Sequence, residues 1–348
     1  MRQTRIAAAL AVCVLMLNGA AARAQEFVFK LHHFLGAGSP SQTEVIAPWA
    51  RDVEERSGGK VRIEIYPSMT LGGRPPELIT QARDGVVDLV WTVNGYTPGL
   101  FPRTEVMELP FVYVNDPGAA NLALRDLFES DLAPEYRGVE VMFLHVHAGN
   151  AIQMRDTEVH APADLKGKKM RIPTRTGGWA LEALGAVPIA MPVPELPQAL
   201  SKGVVDGALI PLEIIPALKL QDQTAYQIEL ADETRIGTIV FQMSMNKARW
   251  DSLPPDIQAA FRAASGPDWL TELGRIWRRT DDEGVAVAIA SGNTHVVLTE
   301  EETEAFREAL APVVDRWIGE VGKKGIDGAA LVDKARTLIA EHAGQGAE

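Results

Sequence analysis

Strand-like and helix-like segments alternate along almost the whole chain, and that rhythm points to an α/β fold with mainly parallel sheets. Phe27 to His33 reads as a strand, with Phe27, Phe29 and Leu31 alternating against Val28, Lys30 and His32. After a turn-rich stretch comes an amphipathic helix carrying Val45, Ile46, Trp49, Ala50 and Val53, stopped by Gly58-Gly59. The pattern predicts further strands over 61–65, 86–93 and 139–145, with helices over 77–84 and 119–129 between them. Beyond residue 150 the same grammar predicts strands over 170–172, 187–191, 204–210, 236–246 and 294–298. It also predicts helices over 179–184 and 196–202, a mostly helical run over 254–289 broken near Gly266-Pro267, and closing helices over 300–321 and 329–342.

One phrase occurs twice. Pro76-Glu77-Leu78 leads to Gly85-Val86-Val87-Asp88, and Pro194-Glu195-Leu196 leads at the same spacing to Gly203-Val204-Val205-Asp206. Each is a helix, a glycine stop and a strand start. The repetition suggests two similar lobes, each with its own sheet, facing one another across a cleft that a hinge could close. A length of 348 residues accommodates two such lobes.

The first residues read as a leader rather than as part of the fold. Arg2 and Arg5 precede an apolar run from Ile6 to Leu17, and Ala22-Arg23-Ala24 offers a small-x-small cleavage site. The run is shorter than the roughly 20 residues a membrane span needs. Residues 1–24 are therefore expected to be a cleaved signal peptide. Cys13, inside that run and preceded by Val12, is not placed for lipid attachment. It is the sole cysteine, so a chain starting at Gln25 would have neither disulfide nor thiol nucleophile.

Charge and missing motifs narrow the function. The net charge is −12, and a chain without residues 1–24 would carry 31 basic against 46 acidic residues, or −15. Such a surface argues against nucleic acid or anionic membrane as partners. No G-x-S-x-G, G-x-G-x-x-G or P-loop pattern occurs, so the usual anchors for hydrolase, dinucleotide and nucleotide chemistry are missing. His32-His33 and His145-Val146-His147 are the close histidine pairs, and no spacing-matched carboxylate stands beside them. They read as strand-end histidines, and no metal or other cofactor is expected. Asp281-Asp282 and Glu300-Glu301-Glu302 fall at or near expected helix starts, where acids meet the helix dipole favourably. No catalytic constellation emerges, and the chain is not expected to be an enzyme.

The segment Ala161-Pro162-Ala163-Asp164-Leu165-Lys166-Gly167-Lys168-Lys169-Met170-Arg171-Ile172-Pro173 resembles the central phrase of the periplasmic solute-binding proteins of tripartite ATP-independent periplasmic (TRAP) transporters. More of the pattern follows in register: Ala183-Leu184-Gly185-Ala186, Pro188, Met191-Pro192, Ala199-Leu200 and Gly203-Val204-Val205-Asp206-Gly207. Asn246-Lys247 with Trp250 and Leu253-Pro254 fits too, as do Leu71-Gly72-Gly73, Gly85, Asp88 and Leu109-Pro110-Phe111.

The resemblance implies a type II-like, two-lobed α/β binding protein with a hinge and a long helix spanning both lobes. On that pattern residues 25–149 and 237–277 form one lobe, and residues 150–236 and 278–345 the other. It implies periplasmic capture of a small organic acid for uptake, by a monomer working with one small and one large membrane subunit. A periplasmic ligand sensor or enzyme on the same scaffold is the alternative.

The resemblance also assigns the ligand carboxylate to an arginine at the position of Arg171. The residues agree, because Arg171 should face opposite to Met170 and Ile172 on a short strand, and a guanidinium fork matches a carboxylate with two parallel hydrogen bonds. Relatives that bind sialic acid carry a second arginine where this chain has Thr157; Arg155, on the same strand face, is the candidate substitute. Where many relatives place Gln-Glu-Asn-Pro or a metal-holding glutamate, this chain reads Gly207-Ala208-Leu209-Ile210-Pro211. Ile210 in the cleft would disfavour hydroxyl-rich sugar acids and metal-bridged keto acids. Glu213 is close by. Trp179 could wall the cleft, and Asn94 and Asn150 follow strand ends, where α/β clefts gather ligand contacts. Together these features point to a monocarboxylate with a hydrocarbon or ring at its far end, with dicarboxylates admitted if Arg155 reaches the cleft.

Overall fold

The computed structural model describes residues 26–345; the expected leader, Cys13 included, lies outside the described residues. Strands β1 (Phe27–His33), β2 (Val61–Tyr66), β3 (Leu89–Val93) and β4 (Val139–Val146) come first. Then follow β5 (Ala151–Met154), β6 (Lys169–Ile172), β7 (Val187–Ala190), β8 (Gly207–Ile210) and β9 (Tyr226–Glu229), and finally β10 (Val240–Asn246) and β11 (Thr294–Val297). They form two sheets, ordered β2-β1-β3-β10-β4 and β11-β9-β5-β8-β6-β7.

The chain changes sheet from β4 to β5 through residues 147–150 and returns from β9 to β10 through residues 230–239. Most strand pairings are parallel, as the sequence predicts, and the crossings set one reversed strand into each sheet. β10 enters the first sheet antiparallel to both β3 and β4, and β5 runs antiparallel to β8 and β9. The expected strand over 236–246 starts only at Val240, because residues 236–239 belong to a crossing. There the Asn150 N–H donates to the Gly237 carbonyl at 2.9 Å and the Ile236 N–H to the Asn150 carbonyl at 3.0 Å, tying the two crossings together.

Two strands carry no visible alternation. β5 and β9 put Gln153 and Gln227 opposite one another, both fully buried. Gln153 Nε2 donates to the Pro211 carbonyl and Gln227 Nε2 to Thr224 Oγ1, each at 2.9 Å. A glutamine whose amide N–H groups are bonded in this way sits in a core without an apolar signature.

The repeated phrase has the same structural meaning in both sheets. Asp88 Oδ2 accepts from the Lys30 N–H beside β3, and Asp206 Oδ2 accepts from the Lys169 N–H beside β8, both at 2.8 Å. Gly85 and Gly203 adopt positive φ of 72° and 67°, which L-residues with a Cβ rarely adopt.

The helical run breaks between Pro255–Ala264 and Pro267–Ala290. The second of these helices has 24 residues, about 36 Å at 1.5 Å per residue. Its Gly274 lies against the backbone of Gly118, in the helix Pro117–Leu127 beside the first sheet, and its Gly284 against the backbone of Leu212, just past β8. Two missing side chains thus let one helix press on both halves of the molecule. The last helix, Gly328–Gln345, was expected with the second lobe, yet it packs on Pro117–Leu127. Its apolar stripe of Leu331, Val332, Ala335 and Ile339 joins the core that contains Leu124 and Leu127. Helical spacing announced the stripe; which apolar surface it would cover was a question of tertiary packing.

Candidate functional site

Between the two sheets lies a cleft with about 420 Å³ of free space, its solvent-open part included. The first sheet contributes Trp91 and Val93 from β3 and Phe241 from β10, with Phe34 just past β1 and Tyr96 just past β3. The second contributes Arg171 from β6, Ile210 from β8, and Glu213 and Ile214 beyond it. Trp277 reaches in from the long helix.

Strand alternation decides who faces the cleft. Met170 and Ile172 turn into the second hydrophobic cluster, so Arg171 between them faces the opposite way. Leu209 joins that same cluster, whereas its neighbour Ile210 lines the cleft. Arg171 is 1% exposed. Its Nε donates to the Met191 carbonyl at 3.1 Å, and among the described residues no carboxylate forms an ion pair with it. Burial pulls its pKa down, against the opposing influence of the Tyr96 hydroxyl and Glu195. The Tyr96 hydroxyl accepts from the Val193 N–H at 3.0 Å.

The opposite wall is aromatic. Phe34 stacks on Trp91 with centroids 5.2 Å apart and planes at 14°, and Phe241 stacks on Trp91 at 4.8 Å and 12°. Phe241 also stacks on His145, at 5.0 Å and 8°, while the Trp91 indole N–H donates to His145 Nε2 at 2.9 Å. Burial lowers the His145 pKa to about 4, so its ring is neutral and works as one more plane of this wall. Sequence reasoning passed over these aromatics, although alternation along 89–93 placed Trp91 and Val93 on one face.

His147 and Glu213 complete the cleft. His147 Nδ1 accepts from the Gly149 N–H at 2.8 Å, which leaves the ring proton on Nε2, and burial pushes its pKa well below the ordinary value. Glu213 is held by the long helix: Asp281 Oδ1 accepts from the N–H groups of Leu212 (2.9 Å) and Glu213 (3.1 Å). Burial, and then the nearby Asp281 charge, pushes the Glu213 carboxyl well above the usual carboxylate range. Arg235 is not available to it, being paired with Asp281 at 2.5 Å and Glu229 at 2.9 Å.

Four sequence candidates lie elsewhere. Arg155 sits in a surface groove with Asp156, Gln221 and Asn293, because β5 ends before it and the chain turns outward, its N–H donating to the Asp206 carbonyl. Trp179, on the helix Arg175–Ala183, is half-buried outside the cleft, with the guanidinium carbons of Arg175 and Arg316 at 5.1 Å and 4.6 Å from its ring. Asn94 is buried in the first lobe, donating to the Tyr136 hydroxyl and accepting from Gln242 Nε2, both at 2.7 Å. Asn150 is committed through its backbone to the paired crossings. Position relative to a strand end does not reveal which side of the sheet an asparagine will serve.

Comparison with known proteins agrees with this architecture. Residues 31–320 match the family model described as bacterial extracellular solute-binding protein, family 7. A TRAP solute-binding protein from Rhodoferax ferrireducens, solved with copurified benzoate, is 37% identical, with a TM-score of 0.89 over 92% of this chain and 99% of the other. A marine metagenome TRAP solute-binding protein specific for aromatic acid ligands, solved with 3-hydroxybenzoate, is 36% identical over the same shares, also with a TM-score of 0.89. The C4-dicarboxylate-binding periplasmic protein of Rhodobacter capsulatus is 26% identical over 309 residues, 88% of this chain and 90% of its own length.

Proposed function

This chain belongs to family 7 of the bacterial extracellular solute-binding proteins, the periplasmic binding components of TRAP transporters that capture small organic acids, and from that premise we propose that its cleft takes an aromatic monocarboxylate. The observation that carries this reading is Arg171, a fully buried cation without a carboxylate partner, facing a wall of stacked aromatic rings. A buried charge is costly unless paired, and a carboxylate arriving with the ligand supplies the missing partner. An aromatic ring then finds offset-stacking partners in Phe34, Trp91 and Phe241. Arg171 is the one cleft-lining cation among the described residues, which favours one carboxylate over two.

The two sheets mark the two lobes, and closure about residues 147–150 and 230–239 encloses the acid. The closed form is then presented to the small and large membrane subunits, and the cleft performs no covalent chemistry on its ligand. Among the solved relatives, those with benzoate and 3-hydroxybenzoate support the same ligand class.

Calorimetry with protein lacking residues 1–24 tests this. Benzoate, hydroxybenzoates and mandelate should bind well ahead of succinate, glucuronate and sialic acid. A hexuronate or a dicarboxylate binding more tightly than every aromatic monocarboxylate overturns the reading.

A further inference from the structure

Arg171 and the aromatic wall account for a carboxylate and a ring, and two polar atoms in the same cavity are left over. His147 Nε2 and Glu213 Oε2 are both buried and both lack a hydrogen-bond partner. Their residues are 0% and 5% exposed and line the cavity that Arg171 lines. Leaving a buried donor or acceptor unsatisfied is expensive, and two such atoms facing one cavity call for a group that satisfies both.

The chemistry of that group follows from the two atoms. His147 Nε2 carries the ring proton, since Nδ1 is already accepting from Gly149, so it can only donate. Glu213 Oε2 can accept. A hydroxyl is the small group that accepts through its oxygen and donates through its proton at one point. An amino substituent conjugated to the ring donates well but is a poor acceptor for His147. A second carboxylate would lie beside the Asp281 charge, with the nearby cation, Arg235, already shared between Asp281 and Glu229.

We propose that His147 and Glu213 form a second recognition point that binds a hydroxyl on the ligand, making the preferred solute a hydroxylated aromatic monocarboxylate. The long helix fixes the Glu213 backbone through Asp281, and the Gly149 N–H fixes the His147 ring, so both groups are pre-positioned for this contact. This inference rests on the reading that an aromatic monocarboxylate occupies the cleft at Arg171.

Affinities of the positional isomers of hydroxybenzoate and hydroxyphenylacetate are compared with those of benzoate, phenylacetate and the aminobenzoates, by calorimetry on protein lacking residues 1–24. At least one hydroxylated isomer should bind roughly tenfold or more tightly than its unsubstituted parent, and no amino analogue should match it. In Glu213→Leu and His147→Leu that ratio should fall to about two or less, while Glu213→Gln, which keeps an acceptor and a donor in place, should retain most of it. Should the leucine variants fail to fold, the comparison in the unaltered protein still decides. Aromatic acids that bind through Arg171 with no hydroxyl advantage, or with an advantage that survives both leucine variants, overturn this inference and leave the ligand class standing. Failure of every aromatic acid to bind overturns the ligand class itself.

Discussion

Arg171 Nε donates to the carbonyl oxygen of Met191 at 3.1 Å, so β6 is joined through a side chain to the segment that follows β7. One edge of the guanidinium is thereby fixed within a cavity where, among the described residues, no carboxylate pairs with it. Two opposite consequences follow from a single substitution. Arg171→Met keeps the aliphatic stem and should weaken binding of the native acid by about 2–5 kcal/mol, roughly 30- to several-thousand-fold. Without ligand the same variant should unfold at a higher temperature than the parent, by the equivalent of about 1–4 kcal/mol, because an unpaired buried charge is gone. Calorimetry and ligand-free thermal unfolding check the two halves separately.

Ile210 reads out the apolar side of the cleft. Ile210→Asn sets an amide against the ring wall with no partner of its own, and should cost an aromatic acid about 1–3 kcal/mol, or 5- to 150-fold in affinity. A variant that binds the native acid more tightly would place polar ligand atoms at Ile210 and contradict the assignment.

Gly284 should tolerate no side chain. A Cβ there would overlap the carbonyl oxygen of Leu212, and backbone on both sides leaves little room to yield. Overpacking of this kind typically costs about 1–3 kcal/mol, more than the roughly 1 kcal/mol a helix gains when alanine replaces glycine. Gly284→Ala should therefore lower the denaturation midpoint. It should also weaken ligand binding, since Leu212 leads directly into Glu213. Gly319→Ala, where a Cβ meets nothing, is the control and should be neutral or slightly stabilising.

Glu108 makes stability depend on pH. Its Oε2 accepts from Thr176 Oγ1 at 3.0 Å across the two halves, and its Oε1 from the Val240 N–H at 3.2 Å. Burial, and then the neighbouring Glu105, raises its pKa from 4.5 to about 8. The folded state thus holds a proton that the unfolded chain has released, and stability falls as pH rises from about 4.5 to about 8. Glu108→Gln removes that linkage. The variant should match the parent near pH 5 and exceed it at pH 8 and above, the gap growing by up to about 1.4 kcal/mol per pH unit. Chemical denaturation across that range measures it.

Much of the architecture was legible in the sequence because it rests on local regularities. The 118-residue echo marks two equivalent strand–helix–strand corners, since the spacing from helix to glycine to aspartate is fixed by backbone geometry. Asp88 and Asp206 hold equivalent N–H groups as a result. The orientation of Arg171 and Ile210 was equally local, because successive residues on a strand face opposite sides. What tertiary structure alone decided is the destination of each face. Trp179 and Asn94 carry as much chemical promise as Glu213, yet one is stacked between surface arginines and the other hydrogen-bonded within its own lobe. His147 and Glu213 meet at one cavity only because the chain crosses between sheets and the long helix grips the segment after β8. Those are contacts between residues 68 positions or more apart, which no local pattern encodes.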